Sequence, residues 1–104
     1  MTELAEQDLE NIGDYIAYTL LNPQAAAATV SGIRSKANAL CDFPERNELS
    51  RDMVLAQIGV RIEHYRNYNI HYVISGRERV IFIVRILHML EDNQRQLYQT
   101  FELS

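Results

Sequence analysis

The sequence has few features that would cross-link the chain or place it in a membrane. Its single cysteine, Cys41, excludes an intramolecular disulfide and a cysteine-based zinc site. The longest uninterrupted apolar run covers residues 80–84, far short of the roughly 20 residues that a membrane span needs. The acidic start of the chain is opposite to the basic start of a signal peptide. We therefore expect a cytoplasmic protein with no membrane association.

Positive charge and familiar catalytic motifs are scarce as well. The chain carries 10 Lys+Arg against 14 Asp+Glu, a formal net charge of −4. An acidic chain is a poor general binder of nucleic acid, because phosphate contacts normally dominate that affinity. The sequence has no glycine-rich phosphate loop, no H-E-x-x-H motif and no G-x-S-x-G motif. Any basic site must therefore be local, and most catalytic templates are excluded.

The first half of the chain has the pattern of two helices in a single domain, residues 1–104. Apolar side chains recur at helical spacing over residues 3–21. Asn22-Pro23 then predicts a break and a new helix that reaches about Asp42. A link this short predicts an antiparallel hairpin. Cys41 falls at an apolar position, and we interpret it as a small core residue.

The second half has the pattern of a sheet. Residues 43–53 lack periodicity and are predicted to form a loop, whereas a period of two begins at Val54. Three strands are predicted, at residues 60–65, 69–74 and 80–87. The last is apolar at nearly every position, which indicates a central strand covered on both faces. The predicted fold is α+β, with the N-terminal antiparallel helical hairpin on a three-stranded antiparallel sheet and a short C-terminal helix after His88.

The three histidines, His64, His71 and His88, lie on separate strands or strand ends. Their spacing is not a metal signature, and a metal site would require the sheet to bring them together. We expect no metal and no cofactor. His71 alternates with the core face of its strand, so we interpret it as a structural histidine.

A more suggestive group of charged residues lies at the strand ends. Arg61, Arg85, His88 and Asp92 would converge if the sheet meets the last helix there. Arginine and histidine beside a partly apolar sheet can hold a phosphate and move protons. The alternative is a solvated rim of surface charges, which spacing alone favours.

Several motifs together resemble the RelE/ParE toxin superfamily over residues 4–98. The first helix has the pattern A-x-x-D-L-x-x-I-x-x-Y-I, from Ala5 to Ile16. The remaining pieces follow in that family's order: Pro23-x-Ala25-Ala26, Phe43-Pro44, Gly59-x-Arg61, Asn67-Tyr68-x-Ile70-x-Tyr72, Val84-Arg85-Ile86-Leu87-His88 and Asp92. No single piece is specific, but the ordered set is.

The resemblance implies a toxin of a type II toxin–antitoxin pair, a class also described as plasmid stabilisation proteins. Such a toxin is neutralised by a cognate antitoxin, and the complex binds operator DNA chiefly through the antitoxin. RelE-like members cut messenger RNA at the ribosome by means of several basic residues. ParE-like members inhibit DNA gyrase and lack that set.

Three departures from the nuclease pattern favour the ParE-like branch. Glu63 and Asn69 stand where nuclease members usually carry bases, and residues 89–92 lack the usual arginine before the aspartate. The alternative is an mRNA interferase, an endoribonuclease in which Arg61 and Arg85 bind phosphate and His88 acts as acid or base. A third alternative is a degenerate, non-toxic family member.

The start of the chain is a fourth departure from the family pattern. Family members normally begin with a strand before the first helix, but only residues 1–3 precede it here. Either the sheet lacks a fourth strand or the start is misplaced, and an unpaired edge would invite a partner or a second copy, giving a homodimer. The resemblance also implies that Arg61, Arg66 and Arg85 face antitoxin carboxylates.

Overall fold

The computed structural model describes residues 1–103. Over these residues, a helical hairpin covers one face of a three-stranded antiparallel sheet, and two short helices lie on the other face. The elements are α1 (Glu3–Asp14), a π-helical turn (Tyr15–Thr19), α2 (Pro23–Ala39), a 3-10 turn (Pro44–Arg46), α3 (Met53–Ile58), β1 (Arg61–Tyr65), β2 (Tyr68–Ile74), β3 (Ile81–His88) and α4 (Asn93–Thr100). The predicted α+β class, helical hairpin, sheet and C-terminal helix are confirmed.

The hairpin begins and turns at capping residues that fit their positions. The Thr2 side chain accepts a hydrogen bond from the Ala5 N–H at 3.2 Å and caps α1. Asn22 caps α2 in the same way, accepting from the Ala25 N–H at 3.1 Å, and Pro23 occupies the first helical turn.

Two glycines let the helices of the hairpin approach their neighbours closely. A methyl group at Gly13 would lie 3.2 Å from a Val30 methyl, so α1 and α2 are in close contact there. A methyl group at Gly32 would overlap the phenol ring of Tyr65, which brings α2 directly against the end of β1. The absence of a Cβ atom at these two glycines therefore permits both close contacts.

The sheet is a meander of order β1-β2-β3, and both of its faces are buried. The hairpin and the near face share a core of Ala5, Leu9, Ile33, Ala37, Leu40, Ile70, Tyr72, Ile83 and Ile86. A second cluster joins the far face to α3 and α4 and contains Leu55, Val60, Val84 and Leu97. The sheet is therefore the middle layer of three.

Strand β3 is at the edge of the sheet, so its predicted central position is wrong. Its apolar residues are covered on both faces because helices pack on each side, Ile83 and Ile86 against the hairpin and Val84 in the second cluster. Double burial thus arises from layering and not from two neighbouring strands. The outer edge is partly paired, since the Ile83 carbonyl accepts from the Thr2 N–H at 3.0 Å.

Two further predictions are corrected. The segment expected to be loop and then strand contains α3, which Asp52 caps by accepting from the Leu55 N–H at 3.0 Å. Gly59, with φ of 97°, ends that helix in the left-handed conformation that glycine favours. Cys41 is exposed and not in the core, because α2 ends at Ala39 and Leu40 takes the buried position.

No helix in the described part of the chain is both long enough and apolar enough to span a bilayer.

Candidate functional site

Arg85 lies on β3 and forms a nearly buried ion pair with Asp8 of α1. Its Nε and one Nη donate to the two carboxylate oxygens at 2.7 and 2.9 Å, and the Ile86 N–H donates to the same carboxylate at 2.9 Å. The side chains of Arg85 and Asp8 are only 13% and 11% exposed. The hydrogen bond with Asp8 raises the pKa of Arg85 above its ordinary value.

The remaining donors of Arg85 reach α4. Its other Nη donates to the Thr100 hydroxyl at 3.1 Å and to the Gln96 side-chain oxygen at 3.4 Å. One guanidinium thereby joins α1, β3 and α4. We call Asp8, Arg85 and Thr100 the arginine clasp. The geometry of this group is that of a structural connection, with the donors of Arg85 already engaged.

Arg61 lies at the opposite end of the sheet from His88. It begins β1, pairs with Tyr72 and donates to the backbone carbonyls of Glu45 and Asn47. His88 ends β3 and pairs with Tyr68, which in turn pairs with the last residue of β1. Four residues of strand, roughly 13 Å, separate the two ends.

His88 ends β3 and Asp92 immediately precedes α4, so the two residues flank the turn between these elements. The His88 Nδ1 accepts from the Leu90 N–H at 3.1 Å, and its ring meets Tyr68 edge-on with centroids 5.3 Å apart. Asp92 caps α4 by accepting from the Arg95 N–H at 3.1 Å. Arg61, Arg85, His88 and Asp92 therefore do not converge, since the length of the strands keeps Arg61 apart from His88.

Arg66, the third arginine expected to face an antitoxin, is exposed in the tight turn after β1. Its φ is 52°, and its guanidinium carbon lies 5.2 Å from the centre of the Tyr65 ring. Stacking on an aromatic ring orients the guanidinium without using its N–H donors. Arg66 is thus available to an incoming carboxylate.

A groove of about 730 Å³ runs between α1 and the end of β3. Ile12 and Tyr68 lie on its walls, and Tyr15 and Leu90 lie at its rim with 55% and 86% of their surfaces exposed. Exposed aromatic and leucine side chains beside a groove are typical of a protein interface.

A polar network that the sequence did not predict occupies the α4 side of the sheet. His71 is 2% exposed, and its Nε2 lies 2.8 Å from the side-chain oxygen of Asn93. That oxygen also accepts from the Asn69 amide at 3.1 Å, and the Asn69 oxygen lies 2.8 Å from the His64 Nδ1. Burial lowers the pKa of His71, which favours its neutral form.

The predicted structural character of His71 is consistent with its burial, but its Nδ1 has no hydrogen-bond partner anywhere in residues 1–103. His64, His71 and Asn93 of this network line a second groove, of about 760 Å³. Sequence reasoning missed the network because Asn93 lies 22 positions from His71. The usable signal was Asn69, which lies between His64 and His71 in the sequence.

Within the described range, no three His, Cys, Asp or Glu side chains are placed to hold a metal ion together.

A family model described as "ParE toxin of type II toxin-antitoxin system, parDE" matches residues 1–93. No curated protein matches the chain.

Proposed function

The chain belongs to the ParE toxin family of type II toxin–antitoxin systems, and from that premise we propose that it stops growth by binding and inhibiting DNA gyrase. As a toxin of this type it has a cognate antitoxin as its partner.

The separation of the candidate catalytic residues carries the proposal. Cleavage of a phosphodiester requires cations and a proton donor or acceptor within hydrogen-bond distance of one group. Arg61 and His88 lie at opposite ends of the sheet, and the donors of Arg85 are taken by Asp8 and Thr100. This arrangement supports a toxin that acts by binding and counts against RNA cleavage at these three residues.

The antitoxin surface is inferred from which of the three arginines remain free to bind a partner. Arg66 is exposed, whereas Arg61 and Arg85 are bound to other groups of the toxin. We propose that an antitoxin carboxylate pairs with Arg66 and that its apolar side chains enter the groove flanked by Tyr15 and Leu90. Operator DNA would then be bound through the antitoxin.

Charge reversal tests the antitoxin surface. Arg66→Glu should weaken antitoxin binding and flatten its dependence on salt, because a rim charge acts mainly through long-range attraction. Arg95→Glu, an exposed arginine on α4, is the matched control and should bind like the original chain. Equal affinity of the two variants, measured by isothermal titration calorimetry, would contradict the proposed surface.

Inducible expression in a bacterial host with a DNA-damage reporter tests the target. Growth arrest with the reporter switched on is expected, and Arg61→Ala and His88→Ala should arrest growth equally well. Arrest with a silent reporter, abolished by His88→Ala, would instead indicate the interferase. Normal growth with soluble, folded protein would indicate a non-toxic family member.

A further inference from the structure

The second groove lies on the face of the sheet away from the helical hairpin. Its floor is formed by Ile62, His64 and His71, and its walls by the segment before α3 and the first turns of α4. Leu49, Leu55 and Leu97 supply apolar surface along these walls. Neither the ion pair of the arginine clasp nor the proposed antitoxin contacts use this groove.

The amide network fixes which ring nitrogen of His71 carries hydrogen. The Asn93 amide nitrogen donates to the carbonyls of His88 and Glu91, at 3.0 and 2.8 Å, so its oxygen must face His71. The Nε2 of His71 therefore donates to that oxygen. In the neutral ring, the lone pair is then on Nδ1.

The hydrogen-bond pattern also fixes which ring nitrogen of His64 carries hydrogen. The Asn69 amide nitrogen donates to the Asn93 oxygen at 3.1 Å, so the Asn69 oxygen accepts from the His64 Nδ1 at 2.8 Å. The Nε2 of His64 is left as an acceptor. His71 pairs with Ile62, two residues before His64, so the two rings are diagonal neighbours on one face of the sheet.

The groove therefore presents two ring-nitrogen acceptors, the His71 Nδ1 and the His64 Nε2. A buried acceptor without a partner destabilises the fold, and the His71 Nδ1 is such an atom within residues 1–103. Among the charged residues on the lining, Glu48 and Asp52 outnumber Arg51. Hydrogen bonds from Leu55 and Gln94 lower the pKa of Asp52, which keeps this carboxylate ionised. A matching ligand must donate hydrogen bonds and carry positive charge.

We propose that this groove binds an arginine or lysine side chain of a partner polypeptide. The cationic head would donate N–H groups to the His71 Nδ1 and the His64 Nε2, beside the carboxylates of Glu48 and Asp52. The aliphatic stem would lie against the leucines of the walls, as long basic side chains commonly do on apolar surface. The inference does not depend on the identity of the toxin's target.

Long-range ¹H–¹⁵N spectra of the histidine rings test this directly with the whole chain. In the free protein, His71 should carry hydrogen on Nε2 and His64 on Nδ1. N-acetylarginine amide should then shift the His71 Nδ1 and His64 Nε2 signals saturably, while the His88 signals stay fixed as an internal control.

The uncharged analogue N-acetylcitrulline amide is the matched probe. It should bind about tenfold more weakly, because charge-assisted hydrogen bonds are roughly twice as strong as neutral ones. Glu48→Gln should weaken binding of the arginine probe, and His71→Phe should abolish it if circular dichroism shows a folded chain. Glu48→Gln keeps the test decisive if His71→Phe does not fold.

Three results would overturn the inference. The first is hydrogen on the Nδ1 of His71 in the free neutral ring. The second is the absence of saturable shifts up to roughly 50 mM probe, well above a millimolar dissociation constant. The third is an equal response to the arginine and citrulline probes, which would mean that the groove does not select a cation.

Discussion

Removal of the Asp8 charge is the perturbation that most directly tests the arginine clasp. Asp8→Asn keeps the shape of the side chain but leaves the guanidinium of Arg85 without its counter-ion. Breaking one partner of a buried ion pair costs about 3–5 kcal/mol. The side chains of this pair keep a little exposure, 13% and 11%, so we expect the lower end, about 3 kcal/mol.

The exposed ion pair between Arg34 and Glu6 provides the matched control. Both of its side chains are nearly half exposed, and such a pair contributes about 0–1 kcal/mol. Glu6→Gln should therefore change the free energy of unfolding by less than about 1 kcal/mol.

Urea denaturation followed by circular dichroism measures both variants. The midpoint for Asp8→Asn should fall with an unchanged m-value, because the surface exposed on unfolding stays the same. If Asp8→Asn costs no more than Glu6→Gln, the clasp does not hold α1, β3 and α4 together, and the structural role assigned to Arg85 is refuted.

Two further predictions concern stability. Gly32→Ala should lower the free energy of unfolding by about 1–2 kcal/mol, because overlap with the Tyr65 ring outweighs the gain in helix propensity. Gly76→Ala, where a methyl group meets open space, should leave the free energy of unfolding nearly unchanged in the same urea titration. Burial lowers the pKa of His71 in the folded chain, so on acidification this imidazole is protonated in the unfolded chain before it is protonated in the folded chain. Stability should therefore fall as the pH drops below the ordinary pKa of 6.5. Thermal unfolding between pH 8 and pH 5 measures this loss, and an equal pH dependence in His71→Gln would contradict the assignment.

The architecture could be predicted from the sequence because local sequence patterns specify it. The helical spacing before Asn22-Pro23 and the alternation in β1 and β2 predict a hairpin and a meander, and both are present. Even the missed helix α3 carries a readable signal, with Asp52 as its N-cap and Gly59 just past its end. The period of two assumed from Val54 concealed it.

The candidate site could not be predicted in the same way, because its contacts join residues that are far apart in the sequence. Arg85 meets Asp8 across 77 positions, and only the packing of α1 against the edge of β3 brings them together. A free arginine and a clasped arginine look identical in sequence. The burial of His71 likewise depends on α4, which brings Asn93 within hydrogen-bond distance of the imidazole ring.

The proposed inhibition of DNA gyrase is tested most directly with purified chain, purified DNA gyrase and relaxed plasmid. The chain is expected to block supercoiling, His88→Ala and Arg61→Ala are expected to block it equally, and the cognate antitoxin is expected to restore it. Unimpaired supercoiling, together with cleavage of messenger RNA on translating ribosomes that His88→Ala abolishes, would contradict the proposed inhibition.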